Sequence, residues 1–205
     1  MKVELIEAGK LSSLVIGGRI CYNSYHRGGD YNSPTDDITD VDKKYLDKLI
    51  NRSGHRSISR HLQYVMRVSG ISTKTLLACT RHSIGINFSV MSSRFCKLNK
   101  FGASTTKTPN KAVNDLIDKH IEAIIELNNT AKVSAEDLAM LYPQAMHYDL
   151  VVSINPEAMQ HFIDMRGEGT HAHYDIQEMA MLMLDAIPDT HRFLYKTLED
   201  KLDEI

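Results

Sequence analysis

Two arginines and a histidine lie close together in the segment 81–95, which also carries several serines. Arginine binds phosphate oxygens through paired hydrogen bonds, and its cation also suits an electron-rich ring. The side chains of Arg81, Ser92 and Arg94, with backbone amides of a turn that contains Gly85, could converge on a phosphate group. The alternative is a solvated basic turn without a ligand, and this segment alone does not separate the two.

Several other histidines are candidates for ligand or metal contacts. His55 and His61 bracket a short segment that contains Ser57, and each imidazole could contact a ligand or be satisfied within the core. Three further histidines, His161, His171 and His173, could instead be ligands of a metal ion. His-x-His is a weak pattern, however, and it lacks the carboxylate or cysteine that a zinc site usually adds. The sequence therefore predicts no metal.

The composition bounds the class of protein. The chain has 205 residues, 42% hydrophobic and 24% charged, which is ordinary for a soluble globular protein with one full core. Its net charge of -2 argues against general affinity for nucleic acid, which rests on many basic contacts to phosphate. No apolar run approaches the ~20 residues that span a bilayer, and the first residues lack a signal-peptide pattern. A cytoplasmic protein with a single domain, residues 1–205, is therefore expected.

The three cysteines, Cys21, Cys79 and Cys96, are far apart and odd in number. This usage is typical of a reducing compartment and argues against a disulfide framework. None belongs to a Cys-x-x-Cys pair or has a flanking pattern that marks a nucleophile. We expect all three thiols to be packing residues.

Hydrophobic periodicity predicts an α+β fold without internal repeats. Strands are predicted at residues 2–6, 62–68 and 148–154. Helices are predicted at residues 11–22, from 40 to a stop at Gly54, and at 72–80, 110–131, 134–141, 155–165 and 174–187. Asn155, Pro156 and Glu157 supply an N-cap, a first-turn proline and an early acid for the sixth of these helices. The turn-rich segment 25–37 is expected to be a functional loop.

The order of the motifs resembles that of the flavin-dependent thymidylate synthase family. That family carries Gly-His-x-Ser/Thr-x-x-x-His before a strand, then a helix that ends in Arg-His-Arg, and then Ser-x-Arg-Tyr. Residues 54–61 match the first element, Arg81 and His82 stand at the second, and residues 92–95 match the third.

The last third of the chain carries the same resemblance. Residues 153–155, 165–166 and 171–177 resemble the family's Val-Asn, Leu-Arg and His-Ala-x-x-Glu-Ile-Gln elements, in the same order. With the earlier motifs, the resemblance covers roughly residues 19–194. It implies a single-domain α+β fold in which a mixed, mainly antiparallel sheet packs with helices. It also implies a homotetramer whose active sites lie between subunits.

The resemblance further implies a flavin-dependent transfer reaction. In such enzymes reduced FAD carries a one-carbon unit from methylenetetrahydrofolate to C5 of dUMP, and NADPH is the reductant. No cysteine nucleophile is needed, which agrees with the lack of a convincing catalytic cysteine here. The expected partners are thus a pyrimidine deoxynucleotide monophosphate and a folate, with no nucleic acid and no membrane.

The resemblance also assigns roles residue by residue. The expected catalytic residues are Arg81, His55 and Arg166. The expected FAD contacts are Ser57, Arg81, His82, Ser83, Asn155 and His161. The expected substrate contacts are Ala78, Ser92, Arg94 and Arg166. Among these, Ser92 and Arg94 would hold the nucleotide phosphate, and Arg166 would fix the pyrimidine by hydrogen bonds.

The chain departs from the family pattern around the nucleotide motif. Ser83 replaces the last arginine of Arg-His-Arg, and eight residues rather than seven precede Ser92. Further departures are Ala78 for Gln, Val90-Met91 before the serine, Phe95 for Tyr, Arg60 for Glu, His161 for Asn, and Asp149 near an expected phosphate-binding Arg. The nucleotide contacts are therefore expected to differ from those of the family. Although dUMP is the default substrate, dCMP or a hydroxymethyl product are alternatives.

Two other classes of function stay open at the level of sequence. A protein that retains the fold could bind nucleotide or flavin as an accessory protein without methyl transfer. A metal-dependent hydrolase that uses the histidines is the remaining class. A flavin absorbance band in the purified protein would favour the transfer enzyme, and a colourless protein that gains nothing from added FAD would count against it.

Overall fold

A four-stranded antiparallel sheet positions the rest of the structure. The computed structural model describes residues 1–96 and 103–195. The strands are β1 (Lys2–Ala8), β2 (Tyr64–Ser72), β3 (Ile86–Val90) and β4 (His147–Ile154), in the order β1-β2-β4-β3. All three strand pairs are antiparallel. The predicted α+β fold with a mainly antiparallel sheet is therefore confirmed.

Local capping defines where most of the helices begin. The described helices are α1 (Leu11–Cys21), α2 (Asp40–Asp47), α3 (Thr73–Cys79), α4 (Lys111–Thr130), α5 (Ala135–Ala139), α6 (Pro156–Arg166) and α7 (Tyr174–Asp185). Short 3-10 turns occupy Tyr25–Arg27, Arg56–His61 and Asp189–Leu194. Side chains accept hydrogen bonds from first-turn backbone amides at Thr39, Ser72, Asn110, Ser134, Asn155 and His173.

The main core lies between one face of the sheet and the helices α1, α2, α6 and α7. Along β2, Tyr64, Met66 and Val68 are fully buried because alternate side chains of a strand point to the same face. A second, smaller cluster joins α4 and α5 to the residue before β4, and its buried members are Ile121, Ile124, Leu138 and Met146.

The structure keeps the turn predicted at Gly85 and adds a strand after it that the sequence did not predict. Residues 86–90 form β3, which pairs with β4 from Ile86 opposite Ile154 to Val90 opposite Leu150. The strand lies at the sheet edge, where only one neighbour satisfies its backbone, and polar residues alternate with its apolar ones. Turn geometry is kept by Gly85 itself, whose φ is +73°.

Three smaller differences also have local causes. The strand predicted to end at residue 68 continues to Ser72, because Gly70 (φ +73°) lies in an irregularity of the β2–β4 register and does not end the strand. Helix α2 ends at Asp47 and a π turn, Lys48–Arg52, follows it. Cys21 is exposed, so the packing role predicted for this thiol is wrong, whereas Cys79 is buried.

A buried ion pair fixes the loop that joins α1 to α2. The Nη2 atom of Arg19 lies 2.7 Å from Oδ1 of Asp42, whose side chain is 0% exposed. The other carboxylate oxygen accepts hydrogen bonds from Gly29, Tyr31 and Thr39. Burial alone would raise the pKa of Asp42, but these hydrogen bonds and Arg19 together hold it below its ordinary value.

The variant Asp42→Asn should lower the free energy of unfolding by about 3–5 kcal/mol, because Arg19 would be left buried without a counter-charge. Urea denaturation followed by circular dichroism measures this change. Since the pKa of Asp42 is lowered in the fold, its contribution is complete above the unfolded-state pKa and is lost as pH falls through the folded value. The difference between wild type and variant should therefore shrink in acid.

The matched control is Asp115→Asn, which removes the acid of an exposed pair with Lys111 on α4. This control should leave the free energy of unfolding nearly unchanged. If Asp42→Asn and Asp115→Asn were equally stable, the buried pair would not be what holds the loop.

Candidate active site

The first helical turn of α6 meets the start of β3 at one point. The side chain of Asn155 caps α6 by accepting a hydrogen bond from the Ala158 amide at 2.9 Å. Its own backbone amide donates to the carbonyl of Gly85 at 3.0 Å. A β-carbon on Gly85 would lie only 2.3 Å from the Asn155 side-chain nitrogen, so this approach requires glycine. Asn155 is thereby fixed at the edge of a cleft.

This first cleft has a volume of about 370 Å³. Its lining residues come from the turn 56–61, the segment before β3, and α6, and they are Arg56, Arg60, Ile84, Gly85, Asn155, Glu157, Ala158, His161 and Asp164. The guanidinium of Arg60 forms two hydrogen bonds to the carboxylate of Glu157. The guanidinium of Arg56 forms no hydrogen bond or ion pair within residues 1–96 and 103–195 and is therefore available to an anion.

A second cleft, of about 210 Å³, lies next to the first. Its lining residues are Arg81, His82, Ser83, Ile84, Ile86, Ala158, His161 and Arg166. The two clefts share Ile84, Ala158 and His161, so they form one continuous depression divided by these side chains. The second cleft contains two arginines and no acidic residue among those that line it, which suits an anionic or electron-rich planar group.

His82 is held as a neutral imidazole in the second cleft. Its Nε2 atom accepts a hydrogen bond from Nε of Arg166 at 3.1 Å. Its ring also meets the rings of Phe162 and His161 edge-on, with centroids 5.0 and 5.6 Å away. Burial lowers the pKa of His82, and the charges of Arg166 and His161 lower it further. Because Nε2 accepts, the ring proton lies on Nδ1.

The structure thus brings together six residues that the sequence assigned to the site, which are Arg81, His82, Ser83, Asn155, His161 and Arg166. Other assigned residues lie elsewhere in the chain. His55 lines a separate cleft with Tyr22, whose ring is 6.2 Å away. Ser57 is exposed and lines none of these three clefts. The half-buried Ala78 packs against the main core.

Ser92 and Arg94 do not meet Arg81 within one chain. They follow β3, whose five extended residues separate them from Arg81 by roughly 17 Å along the strand. Arg94 is exposed, and its Nε lies 3.2 Å from Glu136 of α5. The convergence of these three side chains on one phosphate, considered in the sequence, is therefore not formed by a single copy.

Sequence reasoning missed several lining residues, namely Arg56, Ile84, Ala158, Glu157 and Asp164. A signal for part of this set was present on α6. Asn155, Ala158, His161 and Asp164 recur every three residues, and each such position is a neighbour of the next on the surface of a helix. Arg56 and Ile84 had no comparable signal, because they stand in irregular segments.

The side chains of residues 1–96 and 103–195 also bear on three other features, which are a metal site, a membrane span and a cysteine nucleophile. No group of three or more histidine, cysteine, aspartate or glutamate side chains in this part could hold a metal ion. His173, one of the histidines considered for a metal, caps α7 instead. No helix in the same part is long and apolar enough to cross a membrane. Burial raises the pKa of the Cys79 thiol to about 12, so this cysteine is unreactive near neutral pH.

Comparison with known proteins identifies relatives along most of the chain. The flavin-dependent thymidylate synthase of Wolinella succinogenes is 26% identical over 207 residues, covering 95% of this chain and 97% of that protein. The enzyme of the same name from Helicobacter pylori is 26% identical over 194 residues, covering 87% of this chain and 89% of that protein.

Solved structures confirm the fold. Thymidylate synthase X from Helicobacter pylori, crystallised with FAD and dUMP, superimposes with a TM-score of 0.82 and 21% identity over 96% of this chain and 98% of its own. The UMP/dUMP methylase PolB from Streptomyces cacaoi, bound with 5-Br dUMP, gives a TM-score of 0.68 and 16% identity over 90% of this chain and 88% of its own.

A family description matches the sequence directly. The model of the thymidylate synthase complementing protein family covers residues 4–191, which include every residue of both clefts. The resemblance that was drawn from the motifs is therefore confirmed. This chain belongs to the thymidylate synthase complementing protein family, the family of the flavin-dependent thymidylate synthases.

Proposed function

We propose that this protein transfers a one-carbon unit from methylenetetrahydrofolate to C5 of a pyrimidine deoxynucleotide monophosphate, using FAD as cofactor and NADPH as reductant. The observation that carries the proposal is the meeting of Arg81, His82 and Arg166 in one cleft beside Asn155 and His161. Family membership and the relatives with FAD and dUMP support it. The default nucleotide is dUMP, and dCMP or hydroxymethylation are the alternatives.

The residues present fit a flavin dinucleotide. The depression extends over two adjacent clefts, which suits an elongated ligand, and Arg56 offers an unpaired cation in the first of them. Gly85, which lines the first cleft, lets the Asn155 side chain approach the backbone closely there. When bound, the cofactor supplies the electrons and carries the one-carbon unit.

The chain's own side chains would bind and orient the reactants. Arg81 would stabilise negative charge on the reduced flavin, because an adjacent cation lowers the energy of an anion in a partly desolvated site. The Asn155 side-chain nitrogen, which forms no hydrogen bond within the described residues, would donate to the cofactor. Arg166 would bind the pyrimidine through its terminal amino groups.

The phosphate of the nucleotide would be held by a second copy of the chain. Ser92 and Arg94 lie away from the Arg81 cleft of their own copy. Asp149 stands near the sequence position at which the family is expected to have a phosphate-binding arginine. Here its carboxylate pairs with Arg67 and accepts a hydrogen bond from the Gly70 amide. Two copies would therefore complete each site, in agreement with the proposed homotetramer.

An exposed apolar stripe on α4 supports self-association. Val113, Leu116 and Leu127 share one face of the helix, and Leu116 is 69% exposed. Met140, 86% exposed, and Leu141 lie in the turn that follows α5, and His120 of α4 contacts the Leu141 carbonyl at 2.7 Å. Exposed apolar side chains that share one helix face are typical of a protein interface.

The second candidate function is a nucleotide- or flavin-binding accessory protein without methyl transfer. The observation that favours it is the altered motif around the cleft. Ala78 packs against the core where the family has a glutamine, and Ser83 supplies no charge where the family has an arginine. These two changes remove polar contacts without closing either cleft, so binding would be kept more easily than turnover.

Incubation with FAD, NADPH, methylenetetrahydrofolate and either dUMP or dCMP separates the two functions. We expect the dUMP product to gain one methyl group, measured by mass spectrometry of the nucleotide. The Arg81→Ala variant should lower the rate about ten- to a hundredfold, because one charge-assisted contact is lost. Binding of FAD and dUMP with no mass change in either nucleotide would instead establish the accessory function.

A mixing experiment tests whether two copies share a site. Arg81→Ala and Arg94→Ala should each be nearly inactive alone. Mixed after mild dissociation and reassembly, they should regain activity, with up to about a quarter of the sites intact when subunits combine at random. Two Arg94→Ala preparations mixed together form the control. Failure of the unlike mixture to exceed this control would place both arginines in the same copy.

The variant Leu116→Glu should weaken self-association, because a buried charge at an interface costs several kcal/mol. Sedimentation velocity over a range of concentrations measures the shift toward smaller species. The matched control is Glu122→Lys, a charge change on another face of α4. An unchanged sedimentation profile for Leu116→Glu would show that the stripe is not the interface.

A further inference from the structure

The guanidinium of Arg166 is held by a histidine and not by a carboxylate. Its Nε donates to Nε2 of His82 at 3.1 Å, and its two terminal amino groups have no hydrogen-bond or ion-pair partner within residues 1–96 and 103–195. A guanidinium can meet a planar ligand side-on, through Nε and one terminal amino group, or end-on, through both terminal groups. Because His82 occupies Nε, the end-on approach is the one left to a ligand.

The surroundings of His82 keep it able to accept this bond. The charged and titratable groups that face it are Arg166 and His161 from α6, and Arg81 beside it on its own segment. None of the residues that line the second cleft is acidic, so nothing in the lining favours a protonated ring. Phe162 packs edge-on against the imidazole and fixes its orientation.

We infer that His82 is a positioning residue that acts through Arg166, by fixing its Nε and directing the two terminal amino groups end-on at the pyrimidine edge of the nucleotide. The inference rests on the proposed function for the identity of that ligand. It differs from the assignment of His82 as a flavin contact, because the imidazole need not touch cofactor or substrate. A ring protonated at Nε2 would lose its acceptor and release Arg166.

A pair of amide variants tests the contact. His82→Gln places an amide oxygen near the position of Nε2, whereas His82→Asn is too short to reach Arg166. Titration of the FAD-loaded protein with dUMP should show an affinity within about threefold of wild type for His82→Gln and about tenfold weaker or worse for His82→Asn. The asparagine variant should raise KM more than it lowers kcat. Equal losses in the two variants would overturn the inference.

A double variant shows whether His82 acts through Arg166. In an Arg166→Ala background, His82→Asn should cause no further loss of dUMP affinity, because the group that it positions is already absent. The same fold loss in both backgrounds would mean that His82 touches the ligand directly, and the inference would fail.

A measurement on the free protein separates this inference from the proposed function. Nitrogen-15 spectra of the imidazoles, assigned with His82→Gln, should show His82 neutral at pH 7 with its proton on Nδ1. In Arg166→Ala the pKa of His82 should rise, because a neighbouring cation and a donor to Nε2 are both removed. A proton on Nε2 in the wild type would overturn the inference. Wild-type protein with the expected spectrum but no binding of FAD or dUMP would refute the proposed function alone.

Discussion

The close approach of Asn155 to Gly85 is the constraint on which both clefts depend. Asn155 is the single residue that joins β4 to α6. Its backbone amide donates a hydrogen bond to the Gly85 carbonyl, and its side chain caps α6. The absence of a side chain on Gly85 lets the end of β4, the start of β3 and the first turn of α6 meet at one point. Most of the residues that line the clefts come from the segment before β3 and from α6, which this contact holds at fixed relative positions.

Charge is distributed unequally between the two clefts. In the first, Glu157 neutralises Arg60, and this pair also links the turn 56–61 to the first turn of α6. In the second, Arg81 and Arg166 face a lining without carboxylates, and their neighbour His82 is neutral. An electron-rich or anionic group is therefore favoured most strongly in the second cleft. The neutral histidine lets the arginines lie close without a third positive charge.

Local signals predicted some parts of this site well. The cap and proline at the start of α6 involve residues one to three positions apart, so the sequence alone located Asn155. The contact between His82 and Arg166 joins residues 84 positions apart, and no periodicity predicts such a pair. The resemblance to the family placed both residues in the site, but not their hydrogen bond. Strand β3 was missed because it is short, lies at the edge, and buries only Ile86.

A residue that matches a sequence motif does not always have its side chain in the site that the motif implies. Ala78 stands where the family has a longer polar residue, but a methyl group that packs on the core cannot reach a cleft. Arg94 matches its motif, but β3 carries it away from Arg81 in the same copy. A motif fixes the order of residues along the chain, whereas strand pairing and assembly decide which of them meet.

Ile84 stands on the ridge between the two clefts with 84% of its surface exposed. Any ligand that extends through both clefts must cover this side chain and displace the water around it. Part of the binding free energy would then come from apolar surface, which carries a negative heat-capacity change and weakens on cooling. Although the site is built around arginines, the temperature dependence of its binding free energy would thus come partly from the hydrophobic effect. Salt would screen only the electrostatic part of that free energy.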